Sequence, residues 1–395
     1  MPNIRFFNPG CEIEVANGSP FFNIPKYPAL LENDLAVLPM FFSQSGDYVI
    51  VNQNVDNTFS DFWKQYFDVN FITLDNLISV SNICFDKFLP WGFSPRVLNI
   101  AYKFKNILSY NFLNSCVAEF NVNHKLLFNR KSSVDVFNDF LKKSNCDDIF
   151  PNINQAPFVA TNISQAIDFF KFSTNNFGGA VFKALYGSSG RGVRLFRNNS
   201  LSDNILKWTN FVINTQGGVE CEFLFNKVSD FSAHFDIINH KPIFKGFSRF
   251  STTDSGFYSN SKVKCFNQIE FFDLVISNKF TDILSQCLEN SIYSKYYEGP
   301  LGVDCLIYLE NNKYKINPCV EINCRHSMGR LAIEIEHLVS ENSIADFYVF
   351  KADEYCEMQN QKPIFKDNKL YSGFWEFTPC SSKTFKAGIF AKPIS

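Results

Sequence analysis

The sequence lacks a strong net charge. Its 37 Lys and Arg and its 39 Asp and Glu residues nearly cancel, which leaves a formal net charge of -2 over 395 residues. Nucleic acids and anionic membranes attract proteins mainly through clustered positive charge, so the composition argues against either as the main partner. Long hydrophobic runs are also missing, because Asn, Lys or Pro interrupts the apolar stretches before they reach the length of a membrane span.

Metal-binding cysteine spacing is missing too. The chain contains 12 cysteines, but they are scattered and no Cys-x-x-Cys pair occurs among them. Zinc sites need such spacing, and a disulfide framework needs an oxidising compartment. No signal peptide is recognisable at the N-terminus. We therefore expect reduced thiols in a cytoplasmic protein.

The first hundred residues alternate short strands and helices, a pattern typical of α/β structure. Residues 4–7 and 47–51 are predicted strands, and the first is followed by a Gly-, Pro- and Asn-rich loop over residues 8–20, of a kind that often carries function. Residues 96–113 have apolar side chains at helical spacing. We predict one amphipathic helix there, bridging two domains.

A glycine-rich loop follows a lysine in the middle of the chain. Residues 181–196 read Val-Phe-Lys-Ala-Leu-Tyr-Gly-Ser-Ser-Gly-Arg-Gly-Val-Arg-Leu-Phe. Glycines adopt positive φ and let backbone N–H groups close on an anion, while hydroxyl and cationic side chains add to such a site. The candidate phosphate contacts are Lys183, Gly187, Ser188, Ser189, Gly190, Arg191 and Gly192. Taken alone, the pattern also fits an ordinary glycine-rich turn beside a chance lysine.

The flanking residues decide what kind of loop this is. A Walker A loop has Lys and then Ser or Thr directly after its last glycine, and it opens a helix. Here Lys183 precedes the glycines, and residues 193–196 have strand periodicity. We therefore predict a β-hairpin whose tip folds over phosphates. Before it, we predict one helix with Ser132 as its N-cap and a second over residues 162–172 capped by Asn162.

A second predicted hairpin carries acidic residues. Two strands, residues 299–308 and 313–323, would be joined by a turn at Asn311 and Asn312. With the turn there, Asp304 lies opposite about Cys319 and diagonal to Glu321, on one face of the hairpin.

Carboxylates in the middle of hydrophobic strands are costly unless a cation lies between them. Asp304, Glu321 and Asn323 would supply three oxygen ligands on one face, a set that suits Mg²⁺. The alternative is a solvent-facing strand surface that is polar by simple alternation. The presence of both hairpins in one chain favours the metal site.

In this order, the two motifs resemble those of the ATP-grasp superfamily, in particular its carboxylate–amine ligases. The resemblance covers about residues 120–335 and rests on Lys183 with its glycine loop, Glu222, Asp304 and the run Glu321-Ile322-Asn323-Cys324-Arg325. It implies an α/β (α+β) fold in which two α+β subdomains grip ATP after a Rossmann-like pre-ATP-grasp domain. The expected domains are residues 1–115, 116–215 and 216–395.

The resemblance also implies a nucleotide site. Either Arg130 or Lys131 would contact the ATP phosphates, and either Glu220 or Glu222 would lie near the adenine or ribose. The register of this hinge strand stays open by a residue or two, because Phe223 stands where proline is common. The implied nucleotide contacts are Arg130, Lys131, Lys183, Gly187, Ser188, Ser189, Gly190, Arg191, Gly192, Glu220, Glu222, Phe223 and Leu224.

The implied reaction is attack of a carboxylate on ATP to give an acyl phosphate, which an amine then converts to an amide. Asp304, Glu321 and Asn323 would hold Mg²⁺ or Mn²⁺, and Arg325 would face the transferred phosphoryl group. Arg249, at the end of a predicted strand, is our candidate for clamping the substrate carboxylate or stabilising the acyl phosphate. Arg96 is a weaker candidate, for which we favour a surface ion pair.

Two alternatives remain at this point. One is a small-molecule kinase on the same fold, which would need a base that the sequence does not reveal. The other is an inactive nucleotide-binding regulatory protein, which would be expected to have lost its metal ligands. The expected partners are small-molecule carboxylate and amine substrates, without nucleic acid or membrane, and a homodimer is left open as the assembly.

Overall fold

Three β-sheets, formed one after another along the chain, carry the fold. The computed structural model describes residues 1–145, 148–187, 192–197, 201–252, 258–264, 275, 279–353 and 357–394. Among the helices in these ranges, none has the length and apolar character needed to cross a membrane.

The N-terminal sheet is parallel and has the strand order β3-β2-β1-β4. Its order reverses beside β1, so the carboxyl ends of β1 and β4 form the switch point of the sheet, where open α/β sheets bind ligands. Its strands are β1 Ile4–Phe6, β2 Tyr48–Val51, β3 Asn70–Thr73 and β4 Phe88–Pro90. Its helices are α1 Cys11–Asn17, α2 Lys26–Asp34, α3 Asn57–Trp63, α4 Leu74–Ile78, α5 Pro95–Tyr102 and α6 Tyr110–Leu113.

The single helix predicted over residues 96–113 is wrong. The chain forms α5, a short 3₁₀ turn at Lys105–Ile107 and then α6. Leu108 is extended and pairs with Phe85, and the Ser109 side chain accepts a hydrogen bond from the Phe112 N–H to cap α6. A local cap and one bridge therefore override the helical periodicity of the sequence.

The second sheet is antiparallel, with the order β5-β8-β6-β7. The predicted hairpin around the glycine loop is confirmed, since Lys183 on β6 pairs with Val193 on β7. Of the loop itself, Ser188, Ser189, Gly190 and Arg191 lie outside the described residues. The elements of this part are α7 Val122–Leu127, α8 Arg130–Lys143, β5 Phe158–Ala160, α9 Ile163–Phe177, β6 Ala180–Ala184, β7 Val193–Phe196, α10 Asp203–Gln216 and β8 Val219–Phe223.

Helix α8 begins three residues earlier than predicted. Asn129, not Ser132, is its N-cap and accepts a hydrogen bond from the Lys131 N–H at 2.9 Å. Ser132 instead donates its hydroxyl to the Leu126 carbonyl. Arg130 therefore becomes the first helical residue, and its backbone N–H donates to the Leu185 carbonyl just after β6. The cap predicted at Asn162 is confirmed, since its side chain accepts from the Gln165 N–H.

The third sheet has nine strands in the order β13-β12-β9-β10-β11-β14-β17-β16-β15 and is antiparallel. Its strands are β9 Lys227–Ile238, β10 Lys241–Thr252, β11 Tyr258–Val263, β12 Gly299–Glu310, β13 Lys313–Asn323, β14 Ser343–Lys351, β15 Ile364–Lys366, β16 Lys369–Glu376 and β17 Phe385–Pro393. Its helices are α11 Phe280–Glu289, α12 Ile292–Tyr296 and α13 Met328–Glu334.

The β12–β13 hairpin turns at Asn311 and Asn312, as predicted, and both have positive φ. Its register differs from the prediction. Leu306 pairs with Asn317, but Asp304 pairs directly with Glu321, because β13 has two extra residues in a bulge that contains Pro318. A shift of two residues preserves the face of each side chain, so the two acids still share a surface but are directly opposite each other.

An aromatic contact joins the N-terminal sheet to the nine-stranded sheet. Trp63 at the end of α3 is 1% exposed, and its ring stacks on that of Trp375 on β16 with centroids 5.1 Å apart and planes 6° from parallel. Large buried aromatic side chains dominate the packing energy of such interfaces.

Replacing Trp63 with Ala should therefore lower the free energy of unfolding by about 3–5 kcal/mol, the usual cost of a large aromatic cavity. Urea denaturation followed by circular dichroism measures the change. Phe211→Ala is the control, because Phe211 is 64% exposed on α10 and its loss should change stability by less than about 0.5 kcal/mol. Equal effects of the two substitutions would contradict the packing assigned to Trp63.

Candidate active site

A buried lysine connects the second sheet to the acidic hairpin of the third. Lys183 on β6 is directly opposite Glu220 on β8. Its Nζ donates to Glu222 Oε1 at 2.5 Å and to the carbonyl oxygen of Val320, on β13, at 3.2 Å. The strand that precedes the glycine loop therefore contacts the strand that carries Glu321.

The two glutamates on β8 share a face with Lys183. Burial strongly raises the pKa of Glu220, against the opposing effect of Lys183. Burial lowers the pKa of Lys183, but the carboxylates of Glu222 and Glu220 outweigh it and raise the pKa overall. Lys183 is thus held as a cation although it is only 6% exposed to solvent.

Arg130 makes the second connection between the sheets. Its Nη1 donates to the Ala184 carbonyl, at the end of β6, at 2.6 Å. Its Nη2 donates to Glu321 Oε1 on β13 at 2.7 Å, and its Nε lies 3.8 Å from Glu220 Oε2. Burial lowers the pKa of Arg130, while Glu321 and Glu220 more than reverse this effect.

Lys131 does not reach this cluster. It is the next residue of α8 but is exposed, so its side chain leaves the helix on the solvent side. Of the two basic residues that the sequence left as alternatives, the structure brings Arg130, which is 3% exposed, to the seam between the sheets.

The acidic hairpin forms a polar row that continues onto the neighbouring strand. Ser232 on β9 donates to Asp304 Oδ1 at 2.6 Å, and Asn323 Nδ2 donates to Asp304 Oδ2 at 2.9 Å. Burial raises the pKa of Asp304 to about 6, and the nearby Glu321 carboxylate adds to this rise. Asp304 and Glu321 therefore repel each other in a partly desolvated place.

Arg325 extends this row towards the N-terminal sheet. Its Nη2 donates to Asn323 Oδ1 at 3.2 Å, and its Nε donates to Glu12 Oε1 at 2.6 Å. Burial lowers the pKa of Arg325, but the Glu12 carboxylate leads the effects that raise it overall. His326, the next residue, is buried against Phe42, with ring centroids 4.0 Å apart, and so packs among aromatic rings.

The Arg249 side chain lies on the opposite face of the nine-stranded sheet from the Asp304 side chain. It pairs with Phe231 on β9, whereas Asp304 pairs with Ser232, the next residue along the same strand. Successive residues of a strand point to opposite faces. The structure therefore does not bring Arg249 together with Asp304, and we do not retain it as the carboxylate clamp.

Arg96 forms an ion-pair cluster within the N-terminal part of the chain. Its Nε donates to Glu14 Oε1 at 2.9 Å, and it also pairs with Glu32. Burial raises the pKa of Glu32 to about 7, although Arg96 opposes this. The cluster is more buried than the surface ion pair that the sequence favoured, since the Arg96 side chain is 14% exposed.

The predicted hinge residues point in two directions. Phe223, on β8, is buried in a core cluster with Phe169, contacts the ring of Phe177 and faces away from Glu222. Leu224 follows on the Glu222 face and is half-buried. Gly192, at the end of the glycine loop, has a φ of 83°, which favours glycine. Gly187 is the last described residue before the loop.

Two residues of this row were missed at the sequence level. Ser232 alternates with His234 and Asp236 along β9, and this polar alternation in a predicted strand was the available signal. Glu12 lies in the segment over residues 8–20 that the sequence marked as a functional loop, but that prediction of a loop is wrong, because residues 11–17 form helix α1. No local pattern connects Glu12 to Arg325. Only the fold brings together two residues separated by more than 300 positions.

No protein-family model matches this sequence, and no curated protein matches it. Solved structures do. The chain is similar to biotin carboxylase from Campylobacter jejuni, described as a beta-gamma-ATP complex, with 12% identity, 99% of this chain and 87% of that chain covered, and a TM-score of 0.50. It is also similar to pyruvate carboxylase from Rhizobium etli, with 11% identity, 100% of this chain and 36% of that chain covered, and a TM-score of 0.52.

At such identities the similarity establishes the fold alone. The similarity shows that this chain has the ATP-grasp fold. The predicted fold class is therefore confirmed.

Replacing Arg130 with Ala should lower the free energy of unfolding by about 3–5 kcal/mol, because it leaves buried carboxylates without their cation. The loss should shrink at acidic pH, because burial raises the pKa of Glu220 and its protonated carboxyl needs no cation. Denaturant unfolding at pH 5 and pH 7.5 measures both effects. Lys131→Ala is the adjacent control and should change stability by less than about 0.5 kcal/mol. An equal loss for the two variants would remove Arg130 from the seam.

Proposed function

We propose that this protein is an ATP-dependent ligase that joins a carboxylate to an amine and releases ADP and phosphate. The observation that carries the proposal is the contact between the two hairpins. Lys183, beside the glycine loop, reaches the Val320 carbonyl, and Arg130 bridges Ala184 and Glu321. One triphosphate placed at this seam would meet cations from one sheet and acids from the other.

ATP is the proposed phosphoryl donor. Support comes from the fold and from the biotin carboxylase neighbour, whose structure is described as a beta-gamma-ATP complex. In this chain, Lys183 and Arg130 would contact phosphate oxygens, and the glycine loop over residues 187–192 would supply backbone N–H groups. We prefer Glu222, near the end of β8, as the hinge residue, because Glu220 is more deeply buried.

A magnesium or manganese ion fits the acidic hairpin. Asp304 and Glu321 are directly opposite each other and repel, so a cation between them would remove an electrostatic cost. Within the described ranges, no group of three or more His, Cys, Asp or Glu side chains could hold a metal by itself. Asp304, Glu321 and Asn323 would therefore share the ion with phosphate oxygens. When bound, the ion would neutralise phosphate charge.

The chain's own residues then act by positioning and charge compensation. Ser232 and Asn323 orient the Asp304 carboxylate, and Arg130 holds Glu321. In the proposed reaction, a carboxylate oxygen of the acceptor bonds to the γ-phosphorus as the bond to ADP breaks, giving an acyl phosphate. An amine then displaces phosphate from this group and forms the amide. Phosphoryl transfer of this kind needs no protein nucleophile.

The retained acids favour a ligase over an inactive nucleotide-binding protein. Asp304, Glu321 and Asn323 are all present and share one face of the hairpin. A substrate screen identifies the acceptor and the amine. Purified protein should be screened with amino acids and small peptides for stimulated release of ADP and phosphate. Release of AMP instead would indicate adenylation and overturn the acyl-phosphate route.

Replacing Lys183 with Ala should weaken MgATP binding at least tenfold, because the buried ammonium would contact the phosphates directly. Isothermal titration calorimetry measures the affinity, and thermal unfolding checks that the variant is folded. Lys171→Ala is the matched control, since Lys171 is exposed on α9 of the same part of the chain and its loss should leave the affinity unchanged. Unaltered MgATP affinity in a folded Lys183→Ala variant would remove Lys183 from the nucleotide site.

The raised pKa of Asp304, about 6, also predicts a pH dependence. Below this pH the carboxyl is protonated in the free protein, so the ion must displace a proton in order to bind. MgADP affinity should therefore rise by about tenfold between pH 5 and pH 7. In Asp304→Asn this rise should be reduced to the part that comes from the nucleotide itself. Calorimetry across this range decides, and an identical slope in both proteins would exclude Asp304 as a ligand.

A further inference from the structure

Glu12 comes to the site from the first turn of α1, the helix that follows β1 at the switch point of the N-terminal sheet. Its side chain is 10% exposed, and that of Arg325 is 19% exposed. Glu12 Oε1 accepts from Arg325 Nε at 2.6 Å and also lies 2.6 Å from Nη2. One carboxylate oxygen thus occupies the whole Nε–Nη2 edge of the guanidinium.

The other edges of Arg325 are also held. Nη2 donates to Asn323 Oδ1 at 3.2 Å, and Nη1 donates to the His326 carbonyl at 3.1 Å. A guanidinium has five N–H groups in one plane. With these contacts made, one Nη1 hydrogen is left to face a further acceptor, so the plane and direction of the group are set before any ligand binds.

The helix that carries Glu12 is anchored independently of Arg325. Glu14, two residues further along α1, is fully buried and accepts hydrogen bonds from the Ser94 hydroxyl and from Arg96 Nε. The preceding turn is fixed by Asn8, whose side chain donates to the Gly92 carbonyl and accepts from the Gly92 N–H. Glu12 is therefore part of a rigid support and does not merely follow the arginine.

We propose that Glu12 is a positioning residue that sets the orientation of Arg325 towards the transferred phosphoryl group. This inference rests on the proposed function, because it takes Arg325 to face the γ-phosphate. A preorganised cation needs no rearrangement when charge develops beside it. Without Glu12, Arg325 would keep its contacts to Asn323 and to the His326 carbonyl but would lose the partner on its Nε–Nη2 edge, so the plane of the guanidinium would no longer be fixed.

The test compares affinities for the magnesium complexes of ADP and of AMP-PNP, a non-hydrolysable ATP analogue, by calorimetry. Their ratio isolates the contribution of the γ-phosphate and needs no acceptor substrate. Arg325→Ala should lower the preference for AMP-PNP three- to tenfold, and Glu12→Ala should lower it to a similar level. The double variant should fall no further, because residues that act through one group are not additive.

Glu12→Gln should restore most of the preference, since its amide oxygen still accepts from Arg325. If Glu12→Ala fails to fold, Glu12→Gln is the variant whose AMP-PNP to ADP affinity ratio is compared with the wild type. Glu310→Gln is the matched control, because it removes another Glu ion pair, to Lys315 at 2.7 Å, at the far end of the same hairpin, and should change neither affinity.

Additive losses in the double variant, or an unchanged ratio in Glu12→Ala or Arg325→Ala, would overturn the positioning role while leaving the nucleotide site intact. Failure of the proposed function would look different. The wild-type protein would then bind neither nucleotide, and the inference would fall with it.

Discussion

The structure depends on pairing charges that are buried between two sheets. Arg130 and Lys183 lie within a few ångströms of Glu220, Glu222 and Glu321, and most of these groups have little contact with solvent. An isolated charge in such a place would cost several kcal/mol, so each must keep a partner. The seam between the second and third sheets is therefore held by electrostatics at the point where a phosphate ligand would enter.

This arrangement is compatible with the phosphate site that we propose for these cations. Arg130 contacts both the end of β6, the strand that leads into the glycine loop, and Glu321 of the acidic hairpin. Phosphate oxygens could replace carboxylate oxygens around these cations with little loss of interaction. A site that is already paired in this way can stay folded when empty, and in our proposal it would accept phosphate by exchange of partners.

A continuous row of hydrogen bonds links the N-terminal part of the chain to the same site. It runs from Glu12 through Arg325 and Asn323 to Asp304 and ends at Ser232. Each member fixes the orientation of the next, so the carboxylate proposed to hold the metal is oriented by groups from two sheets. In the mechanism that we propose, the N-terminal part of the chain would thus contribute to the site through Glu12 on helix α1, as well as to the packing.

Local patterns in the sequence were enough to predict the two hairpins, the turn at Asn311, the cap at Asn162 and the set of polar residues from which the site is drawn. These features depend on strand periodicity and turn chemistry, which act over a few residues. The tertiary structure decided the rest. The start of α8 at Arg130 brings Arg130, and not Lys131, to the seam. A bulge in β13 places Asp304 directly opposite Glu321. The strand register places Arg249 on the face of the sheet opposite to Asp304. The tertiary structure also brought Glu12 to Arg325, because contacts between distant segments depend on how sheets pack and not on any nearby sequence pattern.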